Sequence, residues 1–261
     1  MFREMKFLFS LWKNNLLAAM EYRAAFISQI LGMMLNDGFY FVFWIIYFDR
    51  FKSVGGWELN EMFVVFGVTA SAFGVVSFLF GNVFSLGEII SKGRLDYYLS
   101  LPRPVLLHAI AGRSITNGLG DFLYGFISYF ASGHFSWDGL ARFVVGIILA
   151  SVAFLSFMII IQSLAFWLGN STTFGQLMLN AMVTFSLYPI GLFEGPVKFI
   201  LLTIIPAALM GAIPTGFIIH FSWPALGEMC LAAVGLLTAA MLVFHLGLRR
   251  YESGSAIQVE V

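Results

Sequence analysis

The chain has 261 residues, of which 60% are hydrophobic and 11% charged, with a mean hydropathy of +0.90 and a formal net charge of zero. A soluble domain carries about 25% charged residues, so this composition excludes one, and the balanced charge offers nucleic acid no electrostatic footprint. Thirty Phe and twelve Met suit a surface that faces lipid, and no segment shows the strict alternation of a transmembrane barrel strand.

Residues 1–22 read as an amphipathic helix. Phe2, Met5, Phe9, Trp12, Leu16 and Ala19 recur at three- and four-residue spacing, while Arg3, Glu4, Lys6, Ser10, Lys13 and Asn14 fall largely on the other side. That is the pattern of a helix lying in the membrane interface; the alternative is a helix packed on a neighbour. No apolar core with a small-residue cleavage site opens the chain, so no cleavable signal is expected.

Six apolar segments follow, at about 24–48, 62–84, 105–131, 140–168, 174–192 and 225–248. Each is near the roughly 20 residues that a bilayer core requires. The expected fold is one all-α membrane domain over 1–261 with six transmembrane helices. Counting Lys and Arg by loop gives orientation. With the N-terminus in the cytoplasm, ten fall inside (Arg3, Lys6, Lys13, Arg23, Lys92, Arg94, Arg103, Arg113, Arg249, Arg250) and four outside (Arg50, Lys52, Arg142, Lys198). Both termini are therefore expected in the cytoplasm of a cell whose plasma or inner membrane the chain crosses.

The first segment carries Asn36 and Asp37 near its middle. The second carries Gly67, Ser71, Gly74, Ser77, Gly81 and Ser85 along one side, small residues that let helices approach closely; a seam within the chain is the expected use. Arg113, Asn117 and Asp121 repeat at four-residue spacing in the third segment, and Gln176, Asn180 and Thr184 do so in the fifth. Polar groups at membrane depth are costly unless paired or solvated. Asp37, Asn117, Asp121, Gln176 and Asn180 are thus candidates for a translocation path. For the uncharged members interhelical hydrogen bonding is the simpler reading; for the two acids both readings stay open.

Residues 199–219 pass as apolar enough for a seventh span, but Pro206 and Pro214 interrupt them and Pro196 and Pro224 flank them. Such spacing leaves helical pieces too short to cross. The expectation for 195–223 is a re-entrant helical hairpin on the outer side, before the last span. Residues 249–261 read as a short polar tail without order. Cys230 is the one cysteine, so no internal disulfide forms, and it is expected to pack as a small hydrophobe.

Enzyme signatures are missing from the sequence. None of the five Lys follows a Gly, as a phosphate-binding loop requires. The four His (108, 134, 220 and 245) stand apart from any partner at metal-ligand spacing. No catalytic residue, metal ligand or cofactor is expected in this chain.

The most informative stretch is 85–104, SLGEIISKGRLDYYLSLPRP. Its charges (Glu88, Lys92, Arg94, Asp96, Arg103) and its apolar residues (Leu86, Ile89, Ile90, Leu95, Leu99) are spaced as on a short amphipathic helix. Within it, Ile89 or Ile90, Gly93, Leu95, Asp96, Leu99 and Pro102 match the form I-x-x-G-x-L-D-x-x-L-x-x-P. In this, and in its whole layout, the chain resembles the permease subunits of type-2 ABC exporters. The resemblance implies that two six-span halves, identical or different, pair around the substrate. It also implies that separate ATPase chains bind ATP and Mg, and that 85–104 is the coupling segment docked on them. The ATPase-coupling residues would be Glu88, Lys92, Gly93, Arg94, Leu95, Asp96, Leu99 and Pro102, with Leu95 and Leu99 seating the segment and Gly93 making a tight turn. One departure is the short, uncharged connection at 169–173, too small for a second docking element.

Three functions compete. The first is an ATP-driven exporter permease, partnered by ABC ATPase subunits, a second permease and membrane lipid. The second is a proton-coupled secondary transporter using Asp37 and Asp121, which would transport without an ATPase. The third is a non-transporting scaffold. The substrate itself is not encoded legibly.

Overall fold

The computed structural model describes residues 2–252. The tail expected without order lies, from residue 253 on, outside the described residues, as do the faces assigned to the side chains of Phe2 and Arg3. Among the described residues there are α-helices and 3-10 turns and no strand beyond one isolated bridge between Val54 and Trp57.

Helix α1 (Phe2–Ala19) runs through a 3-10 turn into α2 (Arg23–Arg50), and α3 (Leu59–Phe80) follows a short loop. The start of α3 is fixed by a capping box, in which the Glu58 side chain accepts from the third-residue N–H and Glu61 accepts from the Glu58 N–H, settling two otherwise orphan donors. Two short helices come next, α4 (Leu86–Ser91) and α5 (Leu95–Leu99), then α6 (Val105–Ala111) and α7 (Gly118–Ala131). The chain continues with α8 (Trp137–Ser163), α9 (Ala165–Leu168), α10 (Thr172–Ser186), α11 (Gly195–Thr203), α12 (Ala212–Ile219) and α13 (Trp223–Leu248).

Four helical stretches are long and apolar enough to cross a membrane: Glu4–Arg50, Leu59–Ser91, Trp137–Leu168 and Trp223–Leu248. A fifth arises if the pair Gly195–Thr203 and Ala207–Ile219, bent by 58°, is taken as one span. The bend falls at Pro206, as its missing N–H demands.

Two expected spans differ from expectation. The third segment is not continuous: α6 and α7 are separated at 112–117, where Gly112 and a run of polar residues weaken the helix. The broken backbone is paired with the end of α3 instead. The Ile115 N–H donates to the Ser77 carbonyl at 2.9 Å, and the Asn82 N–H donates to the Arg113 carbonyl at 3.1 Å. Arg113, Asn117 and Asp121 therefore do not share one helical face. Arg113 is exposed in the break, Asn117 stands just before α7 without a side-chain capping bond, and Asp121 is buried in its first turn. The fifth segment yields α10, whose 15 residues reach only about 22 Å at 1.5 Å per residue, because the chain turns at Pro189.

The core is built around α3 and α8. The stripe of small residues on α3 packs against α7 of the same chain. A Cβ added at Gly67 would stand 2.9 Å from the Gly125 carbonyl oxygen, and one at Gly118 would stand 2.7 Å from the Ser77 Cβ. Close approach lets side-chain hydroxyls reach across: Ser128 donates to the Phe63 carbonyl at 2.7 Å. By contrast α2 and α13 are peripheral, with only 11% and 22% of their apolar windows buried. Cys230 accordingly lies exposed on α13 rather than packed in the core.

Helix α1 packs on the bundle by an edge that takes in part of its apolar stripe (Trp12, Leu16 and Ala19 are half-buried). Leu8 is buried and Phe7, Leu11, Trp12 and Asn15 are half-buried, while Met5 (58%) and Phe9 (69%) are exposed. Three polar anchors explain the choice. Arg103 meets Glu4 at 3.0 Å and lies 4.0 Å over the Phe7 ring. The Trp12 indole N–H donates to the Leu79 carbonyl at 2.8 Å, and Asn15 donates to Ser114 at 3.1 Å.

Candidate functional site

Two regions carry polar chemistry. One is the segment 85–104, at the end of the bundle that also holds α1, α9 and the residues after α13. The single amphipathic helix expected there is two short ones, α4 and α5, joined by a turn at Gly93 with φ +69°. That left-handed conformation is cheap only for glycine. Leu86, Ile89, Ile90 and Leu95 are all buried, so Leu95 anchors the segment to its own bundle and does not seat a partner. Its neighbour Tyr97 is 66% exposed and Leu99 is 43% exposed. These two are the apolar groups available to a partner, together with Lys92, Arg94 and Pro102, which are also exposed.

Glu88 is engaged locally. Lys92 donates to it at 2.8 Å and Arg94 lies 4.0 Å away, and the hydrogen bond from Lys92 holds its carboxyl below the usual carboxylate range. Asp96 is half-buried beside the Tyr251 hydroxyl. Burial, with the Asp96 carboxylate behind it, pushes the Tyr251 phenol up to about 12. Asp96 thus faces the chain's own C-terminal end.

Sequence reasoning missed two amides that set this segment. Gln162 in α8 is 4% exposed. Its Nε2 donates to the Phe84 carbonyl at 2.9 Å, and its Oε1 accepts the Gly87 N–H at 3.2 Å. A lone amide inside a long apolar run was the available signal. Asn82 donates to the Ala109 carbonyl at 2.6 Å and to the Tyr98 hydroxyl at 3.3 Å, tying α6 and α5 to the end of α3.

The second region is a cavity of about 630 Å³ between α2, α3, α7 and α10. Asp37 and Asp121 both line it, with Asn36, Thr69 and Thr184 as further polar groups and aromatic rings for much of its wall. Gly120 makes this meeting possible: a Cβ there would stand 2.8 Å from the Met33 Cβ, so only glycine lets α2 lie this close to α7. The two carboxyl groups adjoin, and Oδ2 of each has no hydrogen-bond partner. Asp121 is 4% exposed, and as a first-turn residue it faces the positive end of the α7 dipole.

Of the other path candidates, Asn117, Gln176 and Asn180 do not line the cavity. Gln176 donates to Asn180 at 3.3 Å, and with Thr184 they form an exposed polar stripe down α10 that ends at the cavity.

No curated protein and no solved structure matches the chain. Residues 34–255 match the family described as ABC-2 family transporter protein, a stretch that takes in every cavity-lining residue but Met33, the segment 85–104 and every helix from α3 onward. The chain therefore belongs to the ABC-2 transporter family, which makes it a multi-pass membrane permease of an ABC transporter and implies association with ABC ATPases.

Proposed function

We propose that this permease is one half of an ATP-driven exporter. In this reading the chain crosses a plasma or inner membrane six times, with α11 and α12 as a re-entrant hairpin on the outer side and both termini in the cytoplasm. The broken α6–α7 unit and the short α10 count among the six, the first with its break paired to α3, the second with Pro189 closing it. The exposed apolar edge of α1, Met5 and Phe9, lies in lipid at the inner interface. ATP and Mg stay on the ATPase chains. Segment 85–104 is the docking element, and Lys92, Arg94, Tyr97, Leu99 and Pro102 form its contact surface. Gly93, Leu95 and Gln162 position that surface, Glu88 orients Lys92, and Asp96 links it to the C-terminal end.

The observation that carries this reading is the bracing of 85–104. It is held by Gln162 in α8, by Asn82 at the end of α3 and, through Arg103, by α1. A push on an element so tied is passed to three helices at once, which a solvated loop would not do. The substrate would pass between two such halves, along the α10 stripe and the cavity of Asp37 and Asp121.

A proton-coupled secondary transporter is the second reading, favoured by the adjoining carboxyls. One experiment separates them: tagged chain is purified from its native membrane and vanadate-sensitive ATP turnover is measured in the eluate. Turnover that co-purifies, and falls at least tenfold with Arg94→Ala plus Leu99→Ala, supports the ABC reading. Gradient-driven transport by a chain with no associated turnover would support the other.

A further inference from the structure

Two carboxyl groups that adjoin inside an apolar wall lack a counter-charge. Asp37 and Asp121 each keep one oxygen without a hydrogen-bond partner, and Asp121 is 4% exposed and lines the cavity. Among the described residues that line the cavity there is no Lys, Arg or His. Like charges at close range in a medium of low dielectric repel strongly, so the pair can carry both its charges only with a positive charge between them.

The shape says what kind. A volume of about 630 Å³ falls within the range of about 300–1,000 Å³ typical of organic-ligand sites, far beyond the need of a bare ion. No group of three or more His, Cys, Asp or Glu that could hold a metal occurs among the described residues. The walls are instead π-faces: Tyr40, Phe43, Trp44, Phe66, Phe73 and Tyr188 all line the cavity. Aromatic faces attract cations, most strongly where water is excluded.

We infer that the cavity binds a lipophilic organic cation, with its charged centre between Asp37 and Asp121 and its apolar body against the aromatic walls. Taking that cation as the transported cargo rests on the permease reading above; its binding does not require the docking segment. The cavity is lined by half-exposed and exposed groups of α2 and α10 (Tyr40, Thr184) on one side and by buried Asp121 on the other. A ligand entering from the α2 and α10 side therefore meets Tyr40 and Asp37 first and Asp121 last.

The test uses the full chain in nanodiscs with two probes. Tetraphenylphosphonium is the cation, tetraphenylborate the anion of the same shape, and binding is followed by quenching of tryptophan fluorescence and by equilibrium dialysis. The expected result is saturable binding of the phosphonium and none of the borate. Asp37→Asn and Asp121→Asn should each weaken phosphonium binding at least tenfold. Since the second position is buried, Asp37→Asn and Tyr40→Leu, both at less enclosed positions, keep the outcome readable; Tyr40→Leu should weaken binding severalfold with both acids intact. No saturable phosphonium binding overturns the inference. So does equal binding of the borate, or phosphonium binding unchanged in Asp37→Asn, which would leave the pair holding only a proton. The Arg94→Ala plus Leu99→Ala chain should bind the cation normally. If wild-type chain binds the cation but never assembles with an ATPase, the docking reading fails and this site stands; if it assembles but binds no cation, this site alone fails.

Discussion

At Gln162 one side chain replaces two missing backbone partners. The helix that ends at Phe80 does not run straight into α4, and the junction would leave the Phe84 carbonyl and the Gly87 N–H unmatched in the interior; the amide of Gln162 takes both. Gly87 is the residue that admits it, since a Cβ there would stand 2.5 Å from Gln162 Oε1. Leaving a buried donor or acceptor without a partner costs about 1–3 kcal/mol. Gln162→Leu should therefore lower the apparent unfolding temperature of the purified chain measurably. It should also loosen 85–104, reducing ATP turnover in the assembled complex more than Gln162→Glu does if the carboxylate still accepts from Gly87. Equal unfolding temperatures for Gln162→Leu and wild type would show that the bracket is not holding the junction.

Among the elements, the α3–α7 seam decides where the acids meet. Asp121 is delivered to α2 by the depth at which α7 beds against α3, and that depth is set by paired glycines. Gly74 faces the Gly118 carbonyl, and a Cβ there would also stand 2.7 Å from the Phe122 N. These are backbone groups, which cannot rotate out of the way. Gly74→Ala should therefore cost about 1–3 kcal/mol, as overpacking of a tight core does. Gly235→Ala on α13, where nothing lies within 4 Å, should be neutral or stabilise by about 0.5–1 kcal/mol through helix propensity. Chemical or thermal unfolding of both variants in the same detergent checks the pair; similar effects at the two positions would mean that the seam is slack.

The seam was legible in the sequence because small residues at helical spacing on one side have few other uses, and the hydropathy of α2, α3, α8 and α13 marked them as long membrane helices. The break at 112–117 was not legible. Its cause lies partly elsewhere: the Ser77 carbonyl and the Asn82 N–H, far away in sequence, take up the backbone groups that a continuous helix would have paired with itself. For the same reason the Arg113, Asn117 and Asp121 periodicity misled, being a helical period read across residues that are not one helix. The pairing of Asp37 with Asp121 was half-visible. Each acid stood out as a charge at membrane depth, but only the Gly120 contact, a tertiary fact, brings them together. Leu95 shows the opposite error. An amphipathic pattern tells which residues share a face and leaves open whether that face meets a partner or the chain's own core.

For the molecule as a whole, what is left uncovered is informative. The cavity is bounded on one side by α2 and α10, and both present groups that lipid covers poorly or that the chain itself leaves bare. Along α10, Gln176, Asn180 and Thr184 are exposed, although exposed amides in hydrocarbon are costly. Along α2, Leu35, Phe39, Tyr40 and Phe43 are 63%, 74%, 65% and 55% exposed. On α13 the exposed groups are mostly apolar, Leu231 at 75% and Val234 at 62%, and the exposed Thr238 and His245 are bonded to carbonyls of their own helix, as a lipid-facing surface would have them. A second permease half seated against α2 and α10 would cover the amides, close the cavity between the halves and leave α13 outermost. On a Cys230→Ser background, Asn180→Cys should therefore cross-link in native membranes to another permease chain, of the same kind or a different one, when a short thiol-specific bifunctional reagent is added. Leu231→Cys should not. The reverse result, cross-linking through position 231 and none through 180, would turn the molecule around: the amide stripe would then face a water-filled space within one chain, and the cavity would be closed by the protein alone.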